Sequence, residues 1–280
     1  MSDVAQGRGR LTLLLLPPMA WLVIAYLGSM AVLLVSAFWG VNSFTGQVVH
    51  VYSTANFEAL FSDPFFRTVT LRSIGVALLV TLIDAALAVP MALYMAKFAS
   101  RRVRLALVVA VTTPLWASYL VKAYAWRGLL APGGPFDWAT GGHAPGYGLA
   151  ATVITLSYLW LPYMVLPAYA AFERVPDSLS EASQDLGGNA WGTVRRIVLP
   201  LVFPGLAAGS IFTFSLSLGD YIAVQIVGGK AQLLGNVIYG QLVTANDQPM
   251  AAALSFVPLV AVLLYLGALR LTGQLEGETA

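Results

Sequence analysis

Few side chains in this 280-residue sequence are equipped for chemistry. It has no cysteine, which excludes disulfides, thiolate metal sites, iron–sulfur clusters and cysteine nucleophiles. Its two histidines, His50 and His143, stand nearly a hundred residues apart. A transition metal would have to rely on carboxylates alone, although such metals favour nitrogen and sulfur. There is no Gly-x-Ser-x-Gly and no convincing nucleophile–base pair, so a membrane enzyme has little support. The lone Gly229-Lys230 continues with Ala231 and lacks the upstream glycine of a phosphate loop, so the chain carries no ATPase site of its own. What remains is a small set of carboxylates and aromatics in apolar surroundings: Asp84, Asp220 beside Tyr221, and Trp126. Their chemistry is recognition, above all of a cationic solute, and not bond making.

The elements that position these groups follow from composition. Apolar residues make up 58% without counting glycine, and charged residues only 10%. Soluble domains run at roughly 45–50% apolar with glycine included and about 25% charged. A soluble sphere cannot hide this much apolar surface, and disorder needs the opposite bias. The net charge of +2, with no basic patch interleaved with aromatics, gives nucleic-acid binding no support. Most of the chain is therefore expected to be dissolved in lipid.

The gaps between charges mark the spans. Crossing a bilayer takes about 20 apolar residues. Six gaps approach or exceed that length, and they place spans near residues 11–39, 73–96, 105–125, 149–172, 201–218 and 250–269. The third gap is short, so Lys122 is expected to snorkel toward the interface. Arg8, Arg10, Lys97, Arg101, Arg102, Arg104, Arg174, Arg195, Arg196 and Arg270 fall on one side. Arg67, Arg72, Lys122, Arg127 and Lys230 fall on the other, which predicts cytoplasmic termini. The first apolar run is too long for a signal-peptide core of about 7–15 residues and reads as a retained anchor.

Within these spans Asp84 is the costly group, at about 2.5–3.5 kcal/mol on insertion scales if ionised. It is expected to face the bundle interior, as a pathway contact or as an interhelical hydrogen bond. Asp220, at the outer end of the fifth span, is better placed to meet a cationic solute; an ordinary helix-end residue is the alternative. Lys122, Tyr124 and Trp126 read first as an interfacial belt. Prolines interrupt several spans and are read mainly as kinks. Gly205 and Gly209 permit close helix packing. His50 and His143 fall in outer loops and receive no role. No internal repeat supports an inverted-repeat carrier.

The connection 173–200 is too long and too structured for a plain turn. Ser178 and Glu181 have capping-box spacing just after Pro176 and predict a helix over 179–186. Gly187 suits its left-handed end, and Asn189 can cap a second helix over 190–198, which Pro200 separates from the fifth span. Leu179, Ala182, Ser183 and Leu186 share one face, with Glu181 and Asp185 on a neighbouring one.

Glu181-Ala182-Ser183, then Gly187, then Ile197-Val198-Leu199-Pro200 resembles the loop signature of the membrane subunits of binding-protein-dependent ABC importers. Ser183 stands where that family usually has alanine. The stretches 67–97 and 114–126, together with Leu218-Gly219-Asp220-Tyr221, Gly228-Gly229 and Gly235-Asn236, are similar to the spermidine/putrescine-type branch, which also includes opine and phosphonate importers.

The resemblance implies an all-α integral membrane protein of the inner membrane: a type I importer permease fold with six transmembrane helices. Residues 1–66 form the first span and outer loop, 67–270 the permease core with its coupling loop, and 271–280 a cytoplasmic tail. It also implies that Leu179, Glu181, Ala182, Ser183, Asp185, Leu186 and Gly187 couple the chain to a separate ATPase. ATP and magnesium would be bound by that partner, and no cofactor by this chain. The further partners implied are a second permease, a paralogue more than a copy, two ATPase subunits in all, and an external solute-binding protein. The solute is expected to be small, polar and polyamine-like. A stand-alone secondary transporter is the competing reading, and a purely structural scaffold would make the folded loop needlessly specific.

Overall fold

The computed structural model describes residues 2–42 and 44–271, with side chains from residue 14 onward. The side chains of Arg8 and Arg10, and the tail beyond residue 271, lie outside the described residues. Two compact units emerge: Met1–Asp63 with Ile238–Phe256, and Pro64–Val237 with Val257–Ala280.

The first unit opens with α1 (Ser2–Ser36). Its span, Leu14–Ser36, has none of its most apolar window buried within the chain. A helix apolar all round and bare of protein neighbours is what a lipid-facing span requires. Strands β1 (Gly40–Val41) and β2 (Val48–Val49) then pair antiparallel, Gly40 opposite Val49. Asn42 builds the turn between them by accepting from the N–H groups of Phe44 and Thr45 at 2.9 and 3.2 Å. On α2 (Ala55–Ser62), Asn56 donates to the carbonyls of Ala37 and Trp39, both at 2.8 Å. His50 sits edge-on to Trp39.

The second unit is built on α3 (Pro64–Leu93), α7 (Leu149–Arg174) and α10 (Leu199–Gly219), with α7 packed against both others. Valine, leucine and alanine fill the seams: Val80 with Leu156 and Val224, and Ala92 with Phe172 and Val202. Close approach is set by glycine. A Cβ on Gly205 would lie 2.5 Å from that of Ala171 and 2.8 Å from the Pro167 carbonyl oxygen. One on Gly209 would lie 3.0 Å from Met164 Cα, so α10 presses directly on the α7 backbone. Buried hydroxyls turn inward: Ser73 and Thr81 donate to carbonyls one turn back.

Shorter elements complete the described chain. They are α4 (Arg101–Trp116), α5 (Tyr119–Leu130), α6 (Pro135–Ala139), α8 (Asp177–Asp185), α9 (Ala190–Thr193), α11 (Ile222–Val227) and α12 (Leu234–Tyr239). The last helix is α13 (Gln248–Leu271), and π-helical turns occupy Tyr94–Phe98, Val194–Val198 and Gly240–Thr244.

Among the described residues five helices are long and apolar enough to cross a membrane, or six if α4 and α5 count as one span. The expected continuous helix over 105–125 is not continuous: it breaks at Ala117-Ser118 and bends by 101°. Pro114 lies in the last turn of α4, and Ala117 and Ser118 are extended, so the helical ladder stops there. Lys122, expected to reach for the interface, instead donates to the Pro114 carbonyl at 2.9 Å. It caps the broken end of the helix that precedes it.

Candidate functional site

The 173–200 segment folds as a helix, a turn and a second helix. Its first helix is α8, and two features differ from the sequence-based expectation. The capping box does not form: Pro176 is the N-cap, with no side-chain cap bond, and the helix starts at Asp177. The reason is a long-range tether. Lys97 donates to the Val175 carbonyl at 2.5 Å and pairs with Asp177 at 2.7 Å. A carboxylate in the first turn also suits the helix dipole. The second difference is at Pro200. It does not separate a helix from the fifth span, because Ala190–Gly219 runs on as one helical rod. The π turn Val194–Val198 precedes it, and Pro200 falls in the first turn of α10, where its missing N–H is tolerated.

The turn itself forms as its residues demand. Gly187 takes φ +82°, the left-handed region where other residues are strained. Asn189 Oδ1 accepts from the Gly192 N–H at 2.6 Å. Gly188 lies against Ser183, where a Cβ would come within 2.5 Å of the Ser183 hydroxyl. Ser183 Oγ and Thr193 Oγ1 lie 2.7 Å apart and tie the two helices together. Serine in place of alanine thus has a structural use in this chain.

The predicted apolar face is divided between two uses. Ser183 is half-buried and turned to the second helix, whereas Leu186 is 90% exposed and Trp191 70% exposed. Glu181, Ala182 and Asp185 are exposed. Leu179 lines a cavity of about 590 Å3 with Pro167, Arg174 and Pro204. A second cavity, about 390 Å3, is lined by Ser183, Gly187, Trp191, Arg195 and Arg196. The loop therefore offers an apolar knob, flanking hollows and charges, none of them covered by another element among the described residues.

Sequence reasoning counted Lys97, Arg101, Arg102 and Arg104 only as markers of the cytoplasmic side and missed a second job. Besides the Lys97 tether, Arg104 donates to the Ala96 carbonyl at 3.2 Å and lies 3.6 Å from Glu173. Glu173 also accepts from the Tyr169 hydroxyl at 3.0 Å. The signal was present as opposite charges in two segments, but nothing local says that they meet.

The candidate pathway residues do not converge on one point. Asp84 is fully buried on α3, and neither carboxylate oxygen has a hydrogen-bond partner among the described residues. Among the described residues the buried hydroxyls of Ser157 on α7 and Ser217 on α10 likewise have no hydrogen-bond partner. Asp220 is 7% exposed and lies just beyond α10. Its Oδ1 accepts from the Ala223 N–H at 2.9 Å, capping α11, and its Oδ2 accepts from Tyr119 Oη. The Tyr221 carbonyl accepts from Asn236 Nδ2 at 2.9 Å. Trp126 packs elsewhere, its ring 5.2 Å from that of Tyr158, in a cluster with Leu130, Ala151 and Val227. In the outer loop, the N–H groups of Gly133 and Ala144 donate to Asp137 and hold its carboxyl below the usual range. His143 Nδ1 lies 3.0 Å from the Thr140 carbonyl oxygen. Among the described residues no three histidines or carboxylates are grouped as a metal site.

Residues 72–273 match the family described as binding-protein-dependent transport system inner membrane component. The inner membrane ABC transporter permease protein YdcU of Escherichia coli K12 is 42% identical over 284 residues, covering 95% of this chain and 90% of that one. The spermidine/putrescine transport system permease protein PotB of the same strain is 32% identical over 213 residues, covering 73% of this chain and 77% of its own. Among solved structures, the bacterial alginate ABC transporter, in complex with an alginate pentasaccharide-bound periplasmic protein, superposes with a TM-score of 0.71 at 17% identity, over 94% of each chain. That likeness establishes the shared fold.

Proposed function

The chain belongs to the family of binding-protein-dependent transport system inner membrane components, and from that premise we propose that it imports a small cationic solute of the polyamine class. It is a multi-pass permease subunit of an ABC importer in the inner membrane. The observation that carries the solute class is the 213-residue match to a relative named for spermidine and putrescine transport. A buried carboxylate at the end of a span, Asp220, supports it, since an ammonium group is the natural counter-ion.

In this reading the exposed 173–200 segment docks on a separate ATPase, which binds ATP and magnesium. Leu186 is the apolar knob, Glu181 and Asp185 supply polar contacts, and Gly187 shapes the turn beside them. Ser183 ties the helix to the second helix of the loop, and the exposed Leu179 and Ala182 complete the docking face. A second permease, a paralogue, completes the translocation path together with two ATPase subunits, and an external binding protein delivers the solute. Both chain ends face the cytoplasm, as the distribution of basic residues favours.

The test is ATP-driven uptake by vesicles carrying the whole complex and its binding protein. Labelled spermidine or putrescine is expected to accumulate, and vanadate to stop it. Accumulation of an anion such as molybdate with no polyamine uptake would overturn the solute class. Co-purification of no ATPase would overturn the coupling role.

A further inference from the structure

Two helices of the second unit are interrupted, and their breaks meet. The first interruption separates α4 from α5, with Tyr119 as the first residue of α5. The second separates α10 from α11, with Asp220 at the joint. Non-helical backbone at membrane depth is tolerated only where protein covers it or where it lines a water-filled path. Interrupted helices are also where transporters place their binding groups.

Both joints are braced. Asp220 Oδ1 caps α11 through the Ala223 N–H. The backbone of Gly235 lies so close that a Cβ there would be 3.0 Å from the Asp220 carbonyl oxygen. On the other side Lys122 holds the end of α4. The Tyr119 ring lies 6.0 Å from that of Trp160, among the side chains packed on Val80, Leu156 and Val224. The hydroxyl of Tyr119 then closes the gap by donating to Asp220 Oδ2. Two polar atoms of these bracing side chains, Trp160 Nε1 and Asn236 Oδ1, are buried with no partner among the described residues. Such atoms are costly unless another state of the protein, or a ligand, satisfies them.

We infer that Tyr119 is a latch: its hydroxyl holds the Asp220 carboxylate in the closed state, and an ammonium group that takes this carboxylate releases α5 from α11. Phenol and ammonium compete for one acceptor, so Tyr119 is a positioning residue that sets how strong a cation must be to open the joint. The second half of this inference rests on the cationic-solute reading above, and the first half does not.

This chain has no cysteine of its own, so alkylation followed on this chain alone reports the introduced thiol. Val224, which is 2% exposed beside the joint, is replaced by cysteine, and its alkylation by N-ethylmaleimide is followed in the intact complex. Val165→Cys, at a fully buried site in the cluster of Met95 and Met164, reports whether the fold is intact. With Tyr119 present the Val224→Cys thiol is expected to react slowly. Tyr119→Phe, which keeps the ring, is expected to raise its rate about fivefold or more, as loss of one charge-assisted hydrogen bond allows. Asp220→Asn serves as a second variant and is expected to raise it less, because its amide oxygen still accepts from the Ala223 N–H and its amide N–H can donate to the phenol oxygen. The Val165→Cys thiol should stay unreactive throughout. An unchanged Val224→Cys rate in Tyr119→Phe, or a parallel rise at Val165→Cys, overturns the latch. Spermidine added to the Tyr119 chain is expected to speed Val224→Cys alkylation as the variant does. If Tyr119→Phe speeds it and spermidine does not, the latch stands and the cationic-solute reading falls.

Discussion

Two segments that adjoin the apolar helices are built on opposite plans. The 173–200 loop is exposed and held largely by neighbours in sequence: Asn189 caps three residues ahead, and Ser183 meets Thr193 ten residues on. The joint at Asp220 is buried and held by partners far away. Tyr119 lies 101 residues before it, and nearby Leu234 donates its N–H to Ser73, 161 residues before. A surface that must be offered to another protein has to keep its shape without being covered. A break buried within the helices is shut off from water, so its polar groups must find partners within the fold.

The largest effect that separates the two plans is expected at Gly187. Nothing lies within 4 Å of a Cβ built there, so a side chain meets no clash; the strain is in the backbone, at φ +82°. Left-handed backbone costs an ordinary residue about 1–2 kcal/mol, which the whole subunit survives. Gly187→Asp is therefore expected to abolish uptake while the amount of chain in the membrane is unchanged on an immunoblot. Normal uptake by this variant breaks the assignment of the loop to coupling.

Gly205 offers the converse, a change felt by the fold. Gly205→Val forces α10 off α7 against Ala171 and is expected to cost about 1–3 kcal/mol, the range for overpacking. Melting of the detergent-solubilised complex should fall by several degrees, whereas Gly75→Ala, with open space around it, should leave melting unchanged. Equal melting of the two variants would refute the close contact.

A smaller effect is expected at the cap. Asn189→Ala should loosen the second helix of the loop by about 1 kcal/mol, read as faster amide exchange over 190–193. Exchange that instead spreads into the rest of α10 would show that the loop is not locally held. The smallest concerns pH in the outer loop. The Asp137 carboxyl is held below its ordinary value, so its contribution is present above that value and is lost as pH falls through the lowered one. Amide exchange at Gly133 and Ala144 should therefore rise only on strong acidification, with His143→Ala leaving the effect in place.

How far each part could be read in the sequence follows the same division. Spans appear because lipid imposes about 20 apolar residues on each crossing, so charge gaps alone locate α1, α3, α7, α10 and α13. The turn at Gly187 and the cap at Asn189 appear because both are local chemistry. The start of α8 at Asp177 does not, because Lys97 chooses it from 80 residues away. The bend after Trp116 does not either. Pro114 was visible there, but proline kinks and proline breaks look alike until neighbouring helices and Lys122 decide between them.

By itself, then, the sequence determined the solvent of each segment, the places where the chain must turn, and the loop signature that carries the family. These depend on composition and on residues a few positions apart. Only the tertiary structure decided that the third span is broken, that Lys97 tethers the start of the loop, and that Tyr119 meets Asp220. Those outcomes depend on which buried polar groups find one another across the bundle, and hydrogen bonds between distant residues leave no mark on local spacing.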